Sequence, residues 1–212
     1  GLKGLYRSRH DLRALSTARM RTVATGPVMQ TVSDRPDLNR LPVLTCWPED
    51  GGPFFTLPLV HTTDPENGAG NLGMYRLQRF DAQSTGMHWQ IEKGGGFHFH
   101  KAAGLNRPLP VSVFLGGPPA LIPAAVAPLP EGVDERLLAA YMMNRPLAVI
   151  QRPTTGHRIP ARAEFVLEGS VTPGDVRWEG PVGDHFGHYS HAADYPVLRV
   201  QRILARRDAI FP

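Results

Sequence analysis

Cysteine is nearly missing from this chain. Cys46 is the only one in 212 residues, so no disulfide can form within it and no cysteine cage for zinc can be assembled. That scarcity fits a reducing, cytoplasmic setting. No apolar run approaches the roughly 18 residues of a spanning helix, and the basic start is not followed by the apolar stretch of a signal peptide. A strong charge of either sign is lacking too: Lys+Arg 23 against Asp+Glu 19 leaves a net +4. The cations are dispersed and not interleaved with aromatics, which argues against a nucleic-acid surface. Neither a Walker A loop nor a Rossmann glycine fingerprint occurs, and there is no internal repeat or low-complexity tract. Disulfide scaffolds, solenoids and spanning helices are thereby excluded, whereas a small anionic ligand remains compatible.

What the chain has in quantity is punctuation. Gly 22 and Pro 21 make up about a fifth of it, a density that suits short strands and structured loops better than long helices. With 42% hydrophobic and 20% charged residues, the composition is that of an ordinary globular domain able to bury one core. Strand-like runs are expected at 28–32, 54–60, 87–91, 111–115, 147–151, 164–167 and 197–204. Two helices are expected at 118–126 and 134–143, the second with Asp134 as N-cap. Leu12, Leu15 and Ala18 recur at helical spacing before the breaker Gly26-Pro27, so residues 1–25 are read as a helical entry segment and 26–212 as the domain.

Three segments carry chemistry. Asn71-Leu72-Gly73-Met74-Tyr75-Arg76 sets an amide oxygen, a glycine that admits close backbone approach and a guanidinium fork side by side. Met87-His88-Trp89-Gln90-Ile91-Glu92-Lys93-Gly94-Gly95-Gly96 reads as a strand ending in a basic glycine turn, whose N–H groups and lysine could hold a phosphate. Continuing this second segment, Phe97-His98-Phe99-His100 reads as a strand with alternate histidines, more often solvated than metal-bound. The third segment, Trp178-Glu179-Gly180-Pro181-Val182-Gly183-Asp184-His185-Phe186-Gly187-His188-Tyr189, places the carboxylates Glu179 and Asp184 on a stiff loop, where one can stay ionised and the other move a proton. Each segment alone is equally compatible with solvated surface groups. A histidine metal hydrolase would need His98, His100, His185 or His188 to converge, which their spacing does not demand.

In this order the three segments resemble the central domain of UbiD-family decarboxylases, over roughly residues 26–211. The resemblance implies a β-rich α+β fold, a split β-barrel of the flavin-reductase kind, that binds prenylated FMN with a divalent metal (manganese or magnesium) and often potassium at its phosphate. It implies (de)carboxylation of an aromatic or α,β-unsaturated carboxylic acid, with a polyprenyl-hydroxybenzoate of quinone synthesis as the best-known substrate. By the same resemblance Arg76 clamps the substrate carboxylate and pairs with Glu179, and Asp184 returns the proton. Thr56, Met74, Tyr75, Arg76, His88, Trp89, Gln90, Lys93, Gly94 and Pro128 match the cofactor-contacting positions, and Asn71 matches a metal ligand.

Two positions depart from the family pattern. Glu92 stands where a histidine is common, and Ala148 falls where a metal-binding glutamate is expected. Either Glu92 joins Asn71 at the metal or it turns to a basic partner such as Lys93, Lys101 or Arg152. The family's two flanking α/β domains are not in these 212 residues, so a flavin-binding module without turnover is the alternative to an enzyme. The full-length family form is expected to be a homo-oligomer.

Overall fold

A computed structural model describes residues 15–89, 94–130, 132–184 and 186–212. Of the expected entry helix, residues 1–14 lie outside the described residues; residues 15–17 are helical, and 20–22 form a strand instead.

The frame is a seven-stranded sheet. Its order is β2 (Thr31–Ser33), β12 (Ala193–Ala205), β11 (Phe165–Glu179), β8 (Leu109–Leu115), β4 (Leu59–Thr63) and β5 (Gly70–Met74), with β7 (Ser84–Gly86) pairing the far part of β12. The long β11–β12 hairpin is its spine, with register shifts at Glu168/Gly169 and Val171/Val176. Gly169 sits at the first shift, where a Cβ would lie 2.1 Å from the Arg199 carbonyl oxygen. Glycine is what lets the strands approach there. A second sheet joins β1 (Met20–Thr22), β9 (Leu147–Gln151) and β10 (Arg158–Pro160), and a third pairs β3 (Phe54–Phe55) with β6 (Leu77–Gln78).

Side-chain alternation along the strands builds two apolar layers. Leu59, Phe114 and Val166 enter one cluster with Leu121, Ala124, Ala139 and Ala140. Their neighbours Val60, Val113, Leu115 and Leu167 enter the other with Leu38, Phe55, Leu77, Met87 and Ala102. A sheet covered on both faces reads as continuous apolar runs, which is why Val111–Leu115 is so regular in the sequence. Each large side chain so buried contributes roughly 1.5–3 kcal/mol.

The split barrel expected from the resemblance is not what the described residues form. The large sheet is open, ending at β2 on one side and β5 on the other. The reason is visible at β5. The strand contacts the helices α1 (Gly94–Gly104), α2 (Leu121–Val126) and α3 (Glu135–Met142), and on its outer edge the Leu72 N–H donates to the Glu135 carboxylate at 2.9 Å, where a closing strand would have supplied a carbonyl. The fold is therefore a mixed α+β arrangement of open sheets.

Local expectations fared unevenly. The helices expected at 118–126 and 134–143 correspond to α2 and α3, and the Asp134 carboxylate caps the Arg136 N–H. Residues 28–32 instead contain a 3-10 turn, Pro27–Met29, before β2. Residues 87–89 lie outside any strand. The triple glycine and the alternate histidines belong to α1, not to a turn and strand. A side chain at Gly94 would stand 2.0 Å from Asn71 Oδ1 and one at Gly95 2.6 Å from the Trp89 indole nitrogen. Close packing of the helix against Asn71 of β5 and against Trp89 requires these glycines, at a helix-propensity cost of roughly 1 kcal/mol each.

Candidate active site

The β5 strand and the two residues after it form one wall of a cleft of about 550 Å³. Asn71, Leu72, Gly73, Met74, Tyr75 and Arg76 contribute to it in sequence, His88 and Gly94 flank it, and Ala125–Leu129, with Pro128, closes it from the end of α2. Glu135 lines it from α3. That volume lies in the range of small-molecule and cofactor sites, roughly 300–1,000 Å³. A second cleft, of about 650 Å³, shares Asn71, Gly94, Leu129 and Glu135 with the first and continues past Phe97, His98 and Lys101.

At one end of the wall lies a charged cluster. Glu179, the last residue of β11, is 1% exposed. Its Oε1 accepts from His88 Nδ1 at 2.8 Å and lies 3.5 Å from Arg76 Nε. The His88 ring packs on Tyr195 with centroids 4.2 Å apart. Arg76 also donates from Nη2 to Ser190 Oγ at 3.2 Å, which ties it to the loop after Glu179. Arg76 Nε and Glu179 Oε2 are buried without a hydrogen bond. Gly86 lies behind that second oxygen, and a Cβ there would be 2.2 Å from it. Unpaired buried polar atoms are costly; of these two residues it is Arg76 that lines the cleft, where a ligand group can pair with its guanidinium.

At the other end lie Asn71 and Glu135. The Asn71 carbonyl accepts from His61 Nδ1 at 2.9 Å, while its side-chain Nδ2 is buried and without a hydrogen bond. Burial pushes the Glu135 carboxyl up, against the N–H groups of Leu72 and of its own backbone. Burial likewise raises the Tyr75 phenol, against the Gly95 N–H and the Asn71 side chain. An amide oxygen beside a half-buried carboxylate is the donor set of a hard divalent cation. Among the described residues no three His, Cys, Asp or Glu side chains group closely enough to hold a metal by themselves.

The expected site residues thus divide. Asn71, Met74, Tyr75, Arg76, His88, Gly94 and Pro128 share the cleft, with Glu179 directly behind Arg76 and His88. Trp89 packs into the core against Phe99, centroids 5.3 Å apart, and its indole N–H is unpaired. Thr56 is exposed in the bend between β3 and β4. Asp184 is exposed on the loop that returns to Ser190, its Oδ1 accepting from the Phe186 and His188 N–H groups at 2.9 and 3.0 Å. Gln90, Glu92 and Lys93 lie outside the described residues. Two of the basic partners considered for Glu92 are engaged elsewhere, Lys101 with Asp64 and Glu66, and Arg152 with Glu168.

Glu135 is the residue that sequence reading missed. Its position just after the N-cap Asp134 looked like an ordinary helix-start acid favoured by the helix dipole. Ala148, where a metal-binding glutamate was sought, lies on β9 and lines a separate small cleft with Arg21 and Arg162. The carboxylate beside Asn71 comes from α3.

Residues 20–212 match the family described as the 3-octaprenyl-4-hydroxybenzoate carboxy-lyase Rift-related domain. A 4-hydroxybenzoate decarboxylase component from Chlamydia pneumoniae is 43% identical over 211 residues, covering 100% of this chain and 36% of that protein. An uncharacterized protein of Chlamydia trachomatis is 48% identical over 201 residues, 94% of this chain and 35% of its own length. Among solved structures, an evolved dimeric form of the UbiD-class enzyme HmfF from Pelotomaculum thermopropionicum, in complex with prenylated FMN, superposes with a TM-score of 0.88 at 31% identity, over 94% of this chain and 49% of that one. The vanillic acid decarboxylase of Sedimentibacter hydroxybenzoicus in closed form gives 0.88 at 26% identity, over 94% and 45%. This chain spans about a third of the length of these curated relatives and about half of these solved chains. Motifs, fold and family match agree, and the chain belongs to the UbiD family of decarboxylases.

Proposed function

We propose that this chain carries the cofactor cleft and the carboxylate-handling group of an enzyme that (de)carboxylates an aromatic or α,β-unsaturated carboxylic acid with prenylated FMN. The observation that carries the reading is the Arg76–Glu179–His88 cluster on the wall of a flavin-sized cleft, with Asn71 and Glu135 at its opposite end. The residues fit the group: Met74, Tyr75 and Pro128 offer apolar surface to a ring system, and Asn71 and Glu135 offer two oxygen ligands for manganese or magnesium at a phosphate, with potassium as a further candidate. When bound, the prenylated flavin supplies the electron sink that lets a carboxyl group leave.

The protein side chains do the rest. Arg76 is 27% exposed on its side chain, so its guanidinium can face a substrate carboxylate in the cleft while Glu179 holds its inner edge. His88 donates to the same Glu179 oxygen that Arg76 approaches, fixing that carboxylate in place. The carbon that loses carbon dioxide takes up a proton, which Asp184 supplies once its carboxyl leaves the loop N–H groups that now hold it. A homo-oligomer in a reducing, cytoplasmic compartment completes the proposal; it is supported by the dimeric relative and by the single exposed Cys46. Among the described residues no helix is long and apolar enough to cross a membrane.

The test loads the protein with prenylated FMN and manganese and measures carbon dioxide release from 4-hydroxybenzoate and vanillate, beside the flavin absorbance. Bound flavin with carbon dioxide release supports the enzyme; bound flavin with no release, and no exchange of labelled bicarbonate into the acids, supports a binding module. Failure to retain flavin at all refutes the cleft assignment.

A further inference from the structure

The loop that carries Asp184 is held by a part of the chain with no place in the cofactor cleft. Gln78, the residue of β6 two positions after Arg76, is 6% exposed. Its Oε1 accepts from the Gly180 N–H at 2.7 Å, and its Nε2 donates to the Gly51 carbonyl at 2.7 Å. One buried amide therefore joins the residue after Glu179 to the 46–52 turn. That turn grips the loop again: the Gly51 N–H donates to the Pro181 carbonyl at 2.8 Å, and a Cβ at Gly51 would stand 2.1 Å from the Gly180 carbonyl oxygen. Only glycine permits this approach.

Asp50 supplies the second clamp. Its Oδ2 accepts from the Cys46 and Trp47 N–H groups at 3.0 and 2.9 Å, which closes the turn on itself. Its Oδ1 accepts from the Gly183 N–H at 2.8 Å, one residue before Asp184. The Trp47 ring lies under Gly183, where a Cβ would be 2.5 Å from it, and Tyr189 Oη accepts from the Glu49 N–H at 3.2 Å. The base of the loop is closed by Ser190 N–H to Val182 carbonyl at 2.9 Å, and Ser190 is the residue that takes Arg76.

We propose that Gln78 and Asp50 are positioning residues that brace the 180–190 loop against β6, fixing Glu179 and Asp184 relative to Arg76. The inference rests on the decarboxylase reading for its catalytic consequence, but not for the brace itself. Neither residue lines the cofactor cleft, so the brace acts on the chemical step and leaves flavin binding alone. Gln78 is suited to the task because one side chain must both accept and donate. A glutamate there can accept from Gly180, but it can donate to Gly51 only when protonated.

The experiment compares Gln78→Ala, Gln78→Glu, Asp50→Ala and Asp50→Asn in the flavin-loaded protein. Three readouts are taken: flavin Kd, kcat with 4-hydroxybenzoate and vanillate, and hydrogen–deuterium exchange by mass spectrometry. Q78A and D50A are expected to lower kcat by about tenfold to a hundredfold, the scale of a misplaced catalytic group. Flavin Kd should stay within about twofold, because neither side chain reaches the cofactor. Exchange should rise in peptides covering 180–190 and not in those covering β8. D50N, which keeps an acceptor for Gly183, should recover part of the loss. Q78E should differ from the wild type in its pH profile, working relatively better at low pH where the introduced carboxyl can donate. Unchanged exchange over 180–190 in both alanine variants overturns the brace whatever the activity shows, and D50A keeps that test open if Q78A fails to fold. Looser exchange with wild-type kcat overturns the catalytic role. If the wild type itself releases no carbon dioxide from either acid, the decarboxylase reading is at fault and exchange alone decides the brace.

Discussion

Replacing Gly86 by alanine tests how tightly the Glu179 cluster is built. Gly86 is in β7, opposite Val197 of β12, and its φ lies outside the left-handed region, so alanine meets no backbone obstacle. The obstacle is Glu179. The added Cβ would stand 2.2 Å from Oε2, 3.1 Å from the carboxyl carbon and 3.2 Å from Phe80 Cζ. A carbon–oxygen contact needs over 3 Å, so the carboxylate must move by roughly 1 Å. Its Oε1 would then leave the 2.8 Å contact with His88 and the 3.5 Å contact with Arg76. Losing a charge-assisted bond in a buried place costs about 1.5–3 kcal/mol. Alanine in a strand returns about 0.5–1 kcal/mol that glycine loses in backbone entropy. The net expectation is a loss of about 1–2 kcal/mol in urea unfolding, with turnover of the flavin-loaded protein down about a hundredfold. Flavin affinity should hold, since Gly86 is not a cleft residue. A variant more stable than wild type with full turnover would refute the reasoning, because it would show that Glu179 swings aside freely and that its pairing with Arg76 and His88 is not needed.

Three further outcomes are expected. Glu135→Ala and Asn71→Ala should each weaken manganese-dependent flavin retention by at least about tenfold, read as the shift in flavin titration with and without chelator; a variant that responds to chelator in the same way as wild type would remove that residue from the metal. Arg76→Ala should keep the flavin and raise KM for the carboxylic acid by about two orders of magnitude, while Arg76→Lys, lacking the fork, recovers only part; equal KM values would end the clamp assignment. Acid should destabilise the core through His157, whose ring burial first, and the Arg136 charge second, lower from 6.5 to about 4. The fold favours the neutral ring, so its contribution is complete above about pH 6.5 and is lost as the pH falls toward 4, a loss of roughly 3 kcal/mol. His157→Asn should flatten that limb of the urea-stability profile between pH 6.5 and 4, and an unchanged slope would contradict the assignment.

The sequence by itself determined the family, the runs of the central strands, both later helices and one whole wall of the cleft. These are properties of contiguous residues. Asn71 to Arg76 line the cleft in order because β5 and its extension are a single stretch of chain, and Val111–Leu115 reads as a strand because both its faces are buried. Tertiary structure decided what depends on approach between distant segments. The triple glycine, locally a turn signal, is the start of α1, and Asn71 and Trp89 leave no space for side chains at Gly94 and Gly95. The sheet stays open at β5, where the Glu135 carboxylate takes the Leu72 N–H that a further strand would have paired, a choice no local pattern encodes. The carboxylate beside Asn71 came from the first turn of a helix, where acids are common for reasons of the helix dipole alone, so its type and position carried no signal. The brace from Gln78 and Asp50 to the Asp184 loop spans 102 and 133 residues of sequence. Single hydrogen bonds over such separations leave no periodicity to read, and only the folded chain brings their partners together.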